Sequence, residues 1–452
     1  MPPSFIYLGV MLAVICLWFL LLKRPIYEGI ILSFFVLVAL TGTWAHLWTF
    51  FTEAISTSLL FSMIAFVAMT QVLSKTKIID NCVVLIISIL GRIPGGAGFA
   101  SIAASSFMGA LSGSGPGNVM TTGSITIPAM KKSGYPAELA ANVESTASYL
   151  GNMIPPSANI VAAIGAYCAV YGDDTITTGS FWMVCWGISL WFILSRFIQL
   201  AVFCLVYKIK PMNKADIPPL KKALKESWTG LLLPVVILVP FLLDFWLNSG
   251  IITERLGATG AKYFSSSLLI FIAGLATIVG VLASGKFKLL NPLELVKVFS
   301  NGLKGLVPTV ATCIFGYMIG ELFSHIDAAT EIAEFLNNFK LGYVGLAFII
   351  PLLTCFIGMV IPGSSIVVML GPAIITLFAA AGANPLLVAA MLPCMCGVMS
   401  GITPPFALGM YAGMSIAGSE LGKTIKNDLW WVAVQYILEV VVLLGWLPII
   451  GI

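Results

Sequence analysis

The chain has 452 residues, 59% of them hydrophobic and 9% charged, with a formal net charge of +4. Soluble domains carry about 25% charged residues, so this composition excludes a water-soluble fold and marks an integral membrane protein. The small excess of lysine implies no nucleic-acid partner, because the lysines fall where membrane topology places them.

Stretches near the roughly 20 apolar residues that cross a bilayer recur at 5–22, 29–50, 53–72, 181–206, 229–247, 264–284, 303–321 and 428–450. The alternation of a membrane barrel is absent and lipid forbids open strand edges, so these stretches read as helices. The first has no small-residue cleavage site and leads through "LLKRPIYEG" into the next span, so it is expected to be retained rather than removed as a signal peptide. Lys23, Arg24, Lys75, Lys77, Arg92, Lys131, Lys132, the lysines of 208–225 and 286–304, Lys423 and Lys426 occupy alternate connections, which the positive-inside rule assigns to the cytoplasm. Asp173, Asp174 and the acidic residues of 321–334 fall in the others, with Arg255 and Lys262 the exception. Both termini are then expected to be periplasmic.

In chain order, residues 1–77 supply scaffold helices and 78–96 an arm whose short helix, 78–90, cannot cross. Residues 97–130 run from the cytoplasmic Arg92 to the cytoplasmic Lys131 with "SGSGPG" in the middle, so the chain is expected to enter and leave on one side as a re-entrant hairpin. Residues 136–170 cross the membrane but carry "NMIPPSAN". Proline lacks an amide hydrogen and disfavours helix in the residue before it, so two in a row break the helix and leave carbonyls free. This hairpin and broken helix form one half of a transport core, 97–180, followed by a linking helix and lysine-rich cytoplasmic joint, 181–228. The series then repeats as scaffold 229–326, arm 327–345 with a short helix at 327–339, and core half 346–422, before the C-terminal helix 423–452. The second hairpin, about 346–383, turns at "IPGSS" and opens to the outside. The second broken helix, 386–422, contains "GITPPFAL".

The two halves match at an offset of 249 residues without a gap: Gly109 with Gly358, Met120 with Met369, Pro136 with Pro385, Pro155 and Pro156 with Pro404 and Pro405, Ala163 with Ala412. Span 53–72 runs inward while its partner 303–321 runs outward, so the halves are expected to be inverted, a hallmark of secondary transporters. The fold class is therefore expected to be an all-α integral membrane protein, an inverted-repeat transporter with two re-entrant hairpins and two broken helices.

Non-helical backbone at membrane depth persists only in protein or around a hydrated cavity, where it coordinates ions and substrate. The neutral oxygens at the four breaks suit a hard monovalent cation. The sodium candidates are Gly113, Ser114, Gly115, Asn118, Asn152 and Pro155 in one half and Gly363, Ser364, Gly401, Thr403 and Pro404 in the other. Helix N-termini restarting after each break favour an anionic carboxylate there, with Thr121, Thr122, Ser145, Asn159 and Ser365 as candidate substrate contacts. The competing reading is that glycine and serine only permit close helix packing. Glu144, a carboxylate within a broken helix, is a functional candidate as proton relay or ion ligand, unless it lies at the cytoplasmic surface.

The nine cysteines lie mostly in apolar segments and read as small hydrophobes. Cys394 and Cys396 lack zinc-motif spacing, so no metal site is expected. There is no Walker sequence or H-E-x-x-H motif, and no nucleophile and base placed for catalysis, so an enzyme is not expected and no cofactor beyond Na+ as coupling ion. A channel would carry a ring or filter rather than two opposed hairpins.

The runs "GRIPGG" (91–96), "GALSGSGPGNVMTTGSITIPAMKKSGYP" (109–136), "IPPS" (154–157), "GMVIPGSS" and "GITPPFALGMYAG" resemble the large membrane subunit of tripartite ATP-independent periplasmic (TRAP) transporters. The resemblance implies a sodium-coupled, elevator-type importer of organic acids in the bacterial inner membrane. It also implies two partners, a separate small four-helix membrane subunit and a periplasmic substrate-binding protein. A stand-alone dicarboxylate symporter or anion antiporter of the same superfamily would share the hairpins and stays open at this point.

Overall fold

Residues as apolar as these have no water to satisfy their backbone in a bilayer, so each segment must bond within itself. The computed structural model describes residues 3–56, 58–73, 75–76, 78–113, 115–172, 175–328, 331, 342–359, 363–404 and 407–452, and among them every regular element is helical. Among the described residues, five stretches are long and apolar enough to cross a membrane: 137–171, 178–206, 220–244, 259–284 and 385–402.

The first helix, Pro3–Cys16, continues as a π-helical turn, Leu17–Leu21. The expected span 29–50 is instead divided. Helix Ile26–Thr41 stops at Gly42, whose left-handed backbone (φ 69, ψ 15) turns its N–H onto Val38 O, and Thr43–His46 then leads into a second helix, Leu47–Ser56. Only a residue without a Cβ takes that conformation at little cost. Ser58–Leu73 follows, then the short helix Ile78–Leu90, which packs against the helix Leu220–Ser227. Of the second expected short helix, 327–339, all but residues 327, 328 and 331 lie outside the described residues.

Two helix pairs occupy corresponding places in the halves, offset by 246 to 248 residues: Gly96–Ser112 with Gly115–Lys132, and Tyr343–Gly358 with Gly363–Ala380. Each pair precedes a helix that breaks. Ala137–Leu150 tightens into the turn Gly151–Met153, becomes extended at Ile154 (φ −99, ψ 127), passes a cis Pro155–Pro156 bond and restarts as Ala158–Tyr171. Pro385–Pro393 passes through a π-helical turn, Cys394–Val398, and Met399–Ile402, becomes extended at Thr403 (φ −94, ψ 126) and restarts as Leu408–Ala417. Each break is followed by a long helix, Thr178–Val206 or Leu421–Leu443.

The two halves interlock reciprocally. The second helix of each pair packs against the restarted helix of the other half, Gly115–Lys132 against Leu408–Ala417 and Gly363–Ala380 against Ala158–Tyr171. Burial then separates centre from periphery. The apolar windows of 137–171 and 385–402 are 78% and 89% buried, against 33%, 28% and 31% for 178–206, 220–244 and 259–284. The latter expose Leu205, Val235 and Phe271, a surface suited to lipid and costly in water. The broken helices are therefore the core.

Candidate functional site

The first pair turns at Gly113, which is left-handed (φ 61) and donates its N–H to Gly109 O at 2.9 Å. Ser114 lies outside the described residues, and the next helix begins at Gly115. Asn118, one turn on, is buried and donates its amide to Ser105 O (2.7 Å) and Ser148 Oγ (2.9 Å), which ties the tip to the broken helix.

The structure brings the tip of one half to the break of the other through Tyr149. Its ring is buried, and a Cβ placed on Gly115, Gly401 or Gly409 would lie 2.6, 1.8 or 2.2 Å from it. One tyrosine thus fills a space left by three glycines, from the first tip, the second break and the restarted helix of the second half. A second meeting point lies at Gly363 and Gly397. A Cβ on Gly363 would fall 2.3 Å from Gly397 Cα, and one on Gly397 would be 3.8 Å from Asn159 Nδ2. The second tip, the second break and Asn159 of the first half are therefore neighbours.

Asn152 stands in the first break, 5% exposed, with its Oδ1 buried and without a hydrogen-bond partner. An orphaned buried acceptor is rare in native structures, and an amide oxygen is a hard ligand suited to Na+. Thr403 is half-buried, with its hydroxyl on Met399 O at 2.7 Å, and Pro404 and Ser364 are half-buried beside it in sequence or at the second tip.

The candidate substrate contacts are dispersed. Thr121 is exposed and donates to Gly117 O. Ser145 is buried against Asn142 O of its own helix at 3.2 Å. Thr122 is buried and turned to Glu144. The side chain of Ser365 lies outside the described residues.

Glu144 is fully buried among five hydroxyls, from Ser101, Ser105, Thr122, Thr126 and Ser148, and not at the cytoplasmic surface. Sequence reasoning named the carboxylate and missed its donors, although three apolar helices each carry a polar i,i+4 pair (101/105, 122/126, 144/148), the spacing that puts two side chains on one face. It also missed the partners of Arg196. This buried guanidinium donates to Gln435 Oε1 at 2.7 Å and Trp431 O at 3.3 Å and lies 5.5 Å from the centre of the Trp431 ring. The buried Asp428 and Glu439 stand on the same helix as Gln435, and Cys394 Sγ donates to Glu439 at 3.3 Å. Arg196 thus joins the two long helices.

Solved structures with this arrangement are membrane transporters. The fold matches the YdaH transporter of Alcanivorax borkumensis (TM-score 0.60, 17% identity, 90% of this chain and 88% of that one) and MtrF of Neisseria gonorrhoeae (TM-score 0.63, 15% identity, 91% and 86%). The family match gives the class of protein, a multi-pass membrane transporter. More particularly, residues 8–450 match the family described as tripartite ATP-independent periplasmic transporter, DctM component, and the chain belongs to that family. It is the large membrane subunit of a TRAP system, in a family of transporters rather than enzymes. Relatives include the C4-dicarboxylate TRAP transporter large permease proteins DctM of Vibrio cholerae (27% identical, 85% of this chain and 84% of that one) and Pseudomonas aeruginosa (26%, 78% and 76%). The sialic acid TRAP transporter large permease protein SiaM of Vibrio cholerae is 25% identical over 72% of this chain and 69% of its own length.

Proposed function

We propose that the chain carries a small organic acid into the cytoplasm across the inner membrane, driven by a sodium gradient, as the moving part of an elevator. In this reading the two halves are inverted, both helix pairs are re-entrant hairpins, both termini are periplasmic, and 78–90 and 327–339 are arms between scaffold and core. The observation that carries it is the meeting of the tip of one half with the break of the other around Tyr149, with the unpartnered Asn152 Oδ1 in the adjoining break. Gly113, Ser114, Gly115, Asn118, Asn152 and Pro155 would hold one Na+, and Gly363, Ser364, Gly401, Thr403 and Pro404 a second. Backbone carbonyls and neutral side-chain oxygens supply the ligands, as discontinuous helices of transporters do.

A carboxylate substrate is supported by the names of the relatives, which specify C4-dicarboxylate and sialic acid. The partners are those of a tripartite system, a small four-helix membrane subunit and a periplasmic binding protein, the latter docking on the outer face by the acidic 321–334 stretch. Rim charges of this kind steer association and are screened by salt.

The test is reconstitution with both partners in liposomes and measurement of organic-acid uptake. Uptake should follow an imposed sodium gradient and require the loaded binding protein. Equal uptake from a proton gradient in sodium-free buffer would refute the coupling. Equal uptake without binding protein would assign the chain to stand-alone symport.

A further inference from the structure

The Glu144 side chain is 0% exposed, and both of its oxygens are fully engaged. Oε2 accepts from Ser101 Oγ at 2.6 Å and Thr126 Oγ1 at 2.5 Å; Oε1 accepts from Ser105 at 2.8 Å, Thr122 at 2.5 Å and Ser148 at 3.1 Å. Ser148 Oγ already accepts the Asn118 amide, which leaves its own proton for Glu144. Five hydroxyls, each able to donate, lie within 3.1 Å of the two oxygens, so the side chain is held as a hydrogen-bond acceptor. Hydroxyl dipoles spread the charge without cancelling it, and a charge inside a membrane protein is costly unless it is paired. The ion pairs among the described residues are Lys132–Asp216, Lys297–Glu294 and Lys423–Glu420, and Glu144 belongs to none of them.

We propose that Glu144 is the fixed counter-charge of a cation bound at the first hairpin tip, a positioning residue that sets the cation's affinity through space without coordinating it. The proposal rests on the sodium reading above. Both oxygens already accept from hydroxyls, of which Ser105 also reaches Thr122 Oγ1 and Thr122 also reaches Asn118 O, so Glu144 is placed behind the ligands rather than among them. Its link to the tip is physical: Glu144 to Ser148 to Asn118, which stands one turn from Gly115 on the same helix as Thr122. Thr122 follows Gly115 by seven residues, which at 1.5 Å of rise each puts the carboxylate about 10 Å from the tip. Two unit charges at that separation, in an effective dielectric of about 20, change a binding constant by about ten- to twentyfold.

The counter-charge role and a purely structural role predict opposite orders for two substitutions. Glu144→Gln keeps the length of the side chain and loses the charge; Glu144→Asp keeps the charge and loses the reach to both pairs of hydroxyls. The measurement is the thermal unfolding midpoint of the full chain in nanodiscs against NaCl, with KCl holding ionic strength constant, which yields the half-saturating Na+ concentration. We expect Glu144→Gln to raise it about tenfold or more and Glu144→Asp to stay within about threefold. Ser101→Ala, which removes one donor and leaves the charge, should lower the midpoint and leave half-saturation within about twofold. A Gln variant within twofold of the parent, or an Asp variant weaker than the Gln variant, overturns the proposal. If Glu144→Gln does not fold, the Asp variant still decides, because a loss beyond tenfold there belongs to a structural hub. No sodium-specific response in the unmodified chain would instead refute the sodium reading itself, and the proposal with it.

Discussion

Tyr149 shows how a residue without polar ligands can organise a polar site. Its ring occupies the space beside Gly115, Gly401 and Gly409, so any side chain at those glycines competes with it. Gly401→Ala, whose Cβ would lie 1.8 Å from the ring, is expected to cost about 1–3 kcal/mol by overpacking. Tyr149→Ala is expected to cost about 3–5 kcal/mol through the cavity it leaves. Denaturant unfolding of the double variant checks the contact: in the Tyr149→Ala background the Gly401→Ala cost should vanish, and strict additivity would show that the two do not touch. Arg196 supplies the second test at this scale. Arg196→Met strands the Gln435 and Trp431 acceptors and removes the cation near Asp428 and Glu439, so a loss of about 3–5 kcal/mol is expected. Arg196→Lys should not restore it, since an ammonium has neither the planar fork nor the stacking face. A loss below about 1 kcal/mol for either variant would mean that the guanidinium contributes little beyond filling space.

At the scale of elements, the breaks were legible and some helix ends were not. Paired prolines act locally, through a missing donor and a clash with the preceding residue, so 154–156 and 403–404 leave the helix where the sequence places the interruption. The stop at Gly42 was hidden inside an apolar run, because glycine is common in membrane helices and hydropathy does not report φ. The restart after the first break depends on Ser157, whose Oγ accepts the Asn159 N–H at 3.2 Å as an N-cap. Ser157→Ala is expected to cost about 1 kcal/mol, with Ser157→Asn close to neutral. Thermal unfolding of the two variants checks this, and equal losses would show that the cap does not stabilise the restarted helix.

For the whole molecule, the end of the first hairpin and the end of the second restarted helix lie together, since Lys131 Nζ donates to Ala417 O at 2.6 Å, and Lys132 pairs with Asp216 of the lysine-rich joint at 3.1 Å. Ser4 bonds Glu331 at the other terminal region, with Thr41 and Asp327 beside them. Single cysteines replacing Lys132, Lys214 and Lys423 in a cysteine-free chain should react with a membrane-impermeant thiol reagent only from the cytoplasmic side, and those replacing Ser4 and Asp327 only from the periplasmic side. Opposite labelling of positions 132 and 423 would overturn the inverted reading of the halves.

Composition, hydropathy and the paired prolines by themselves determined the membrane setting, the helical class and the break in each half, and the runs 91–96, 109–136 and 154–157 carried the TRAP resemblance that the family match bears out. These follow from the sequence because lipid penalises charge and unpaired backbone residue by residue, and because proline and glycine act on their own φ and on the next turn. Which polar groups meet was decided by the tertiary structure. Nothing local brings Gly401 to Tyr149, Asn159 to Gly397, or Arg196 to Gln435, pairs separated by more than two hundred residues. Thr122 and Ser145 stand near the breaks in sequence, yet packing turns one onto Glu144 and the other onto its own helix backbone. A buried hydroxyl goes to the acceptor its neighbours leave open, and only the interlocking of the two halves determines which acceptor that is.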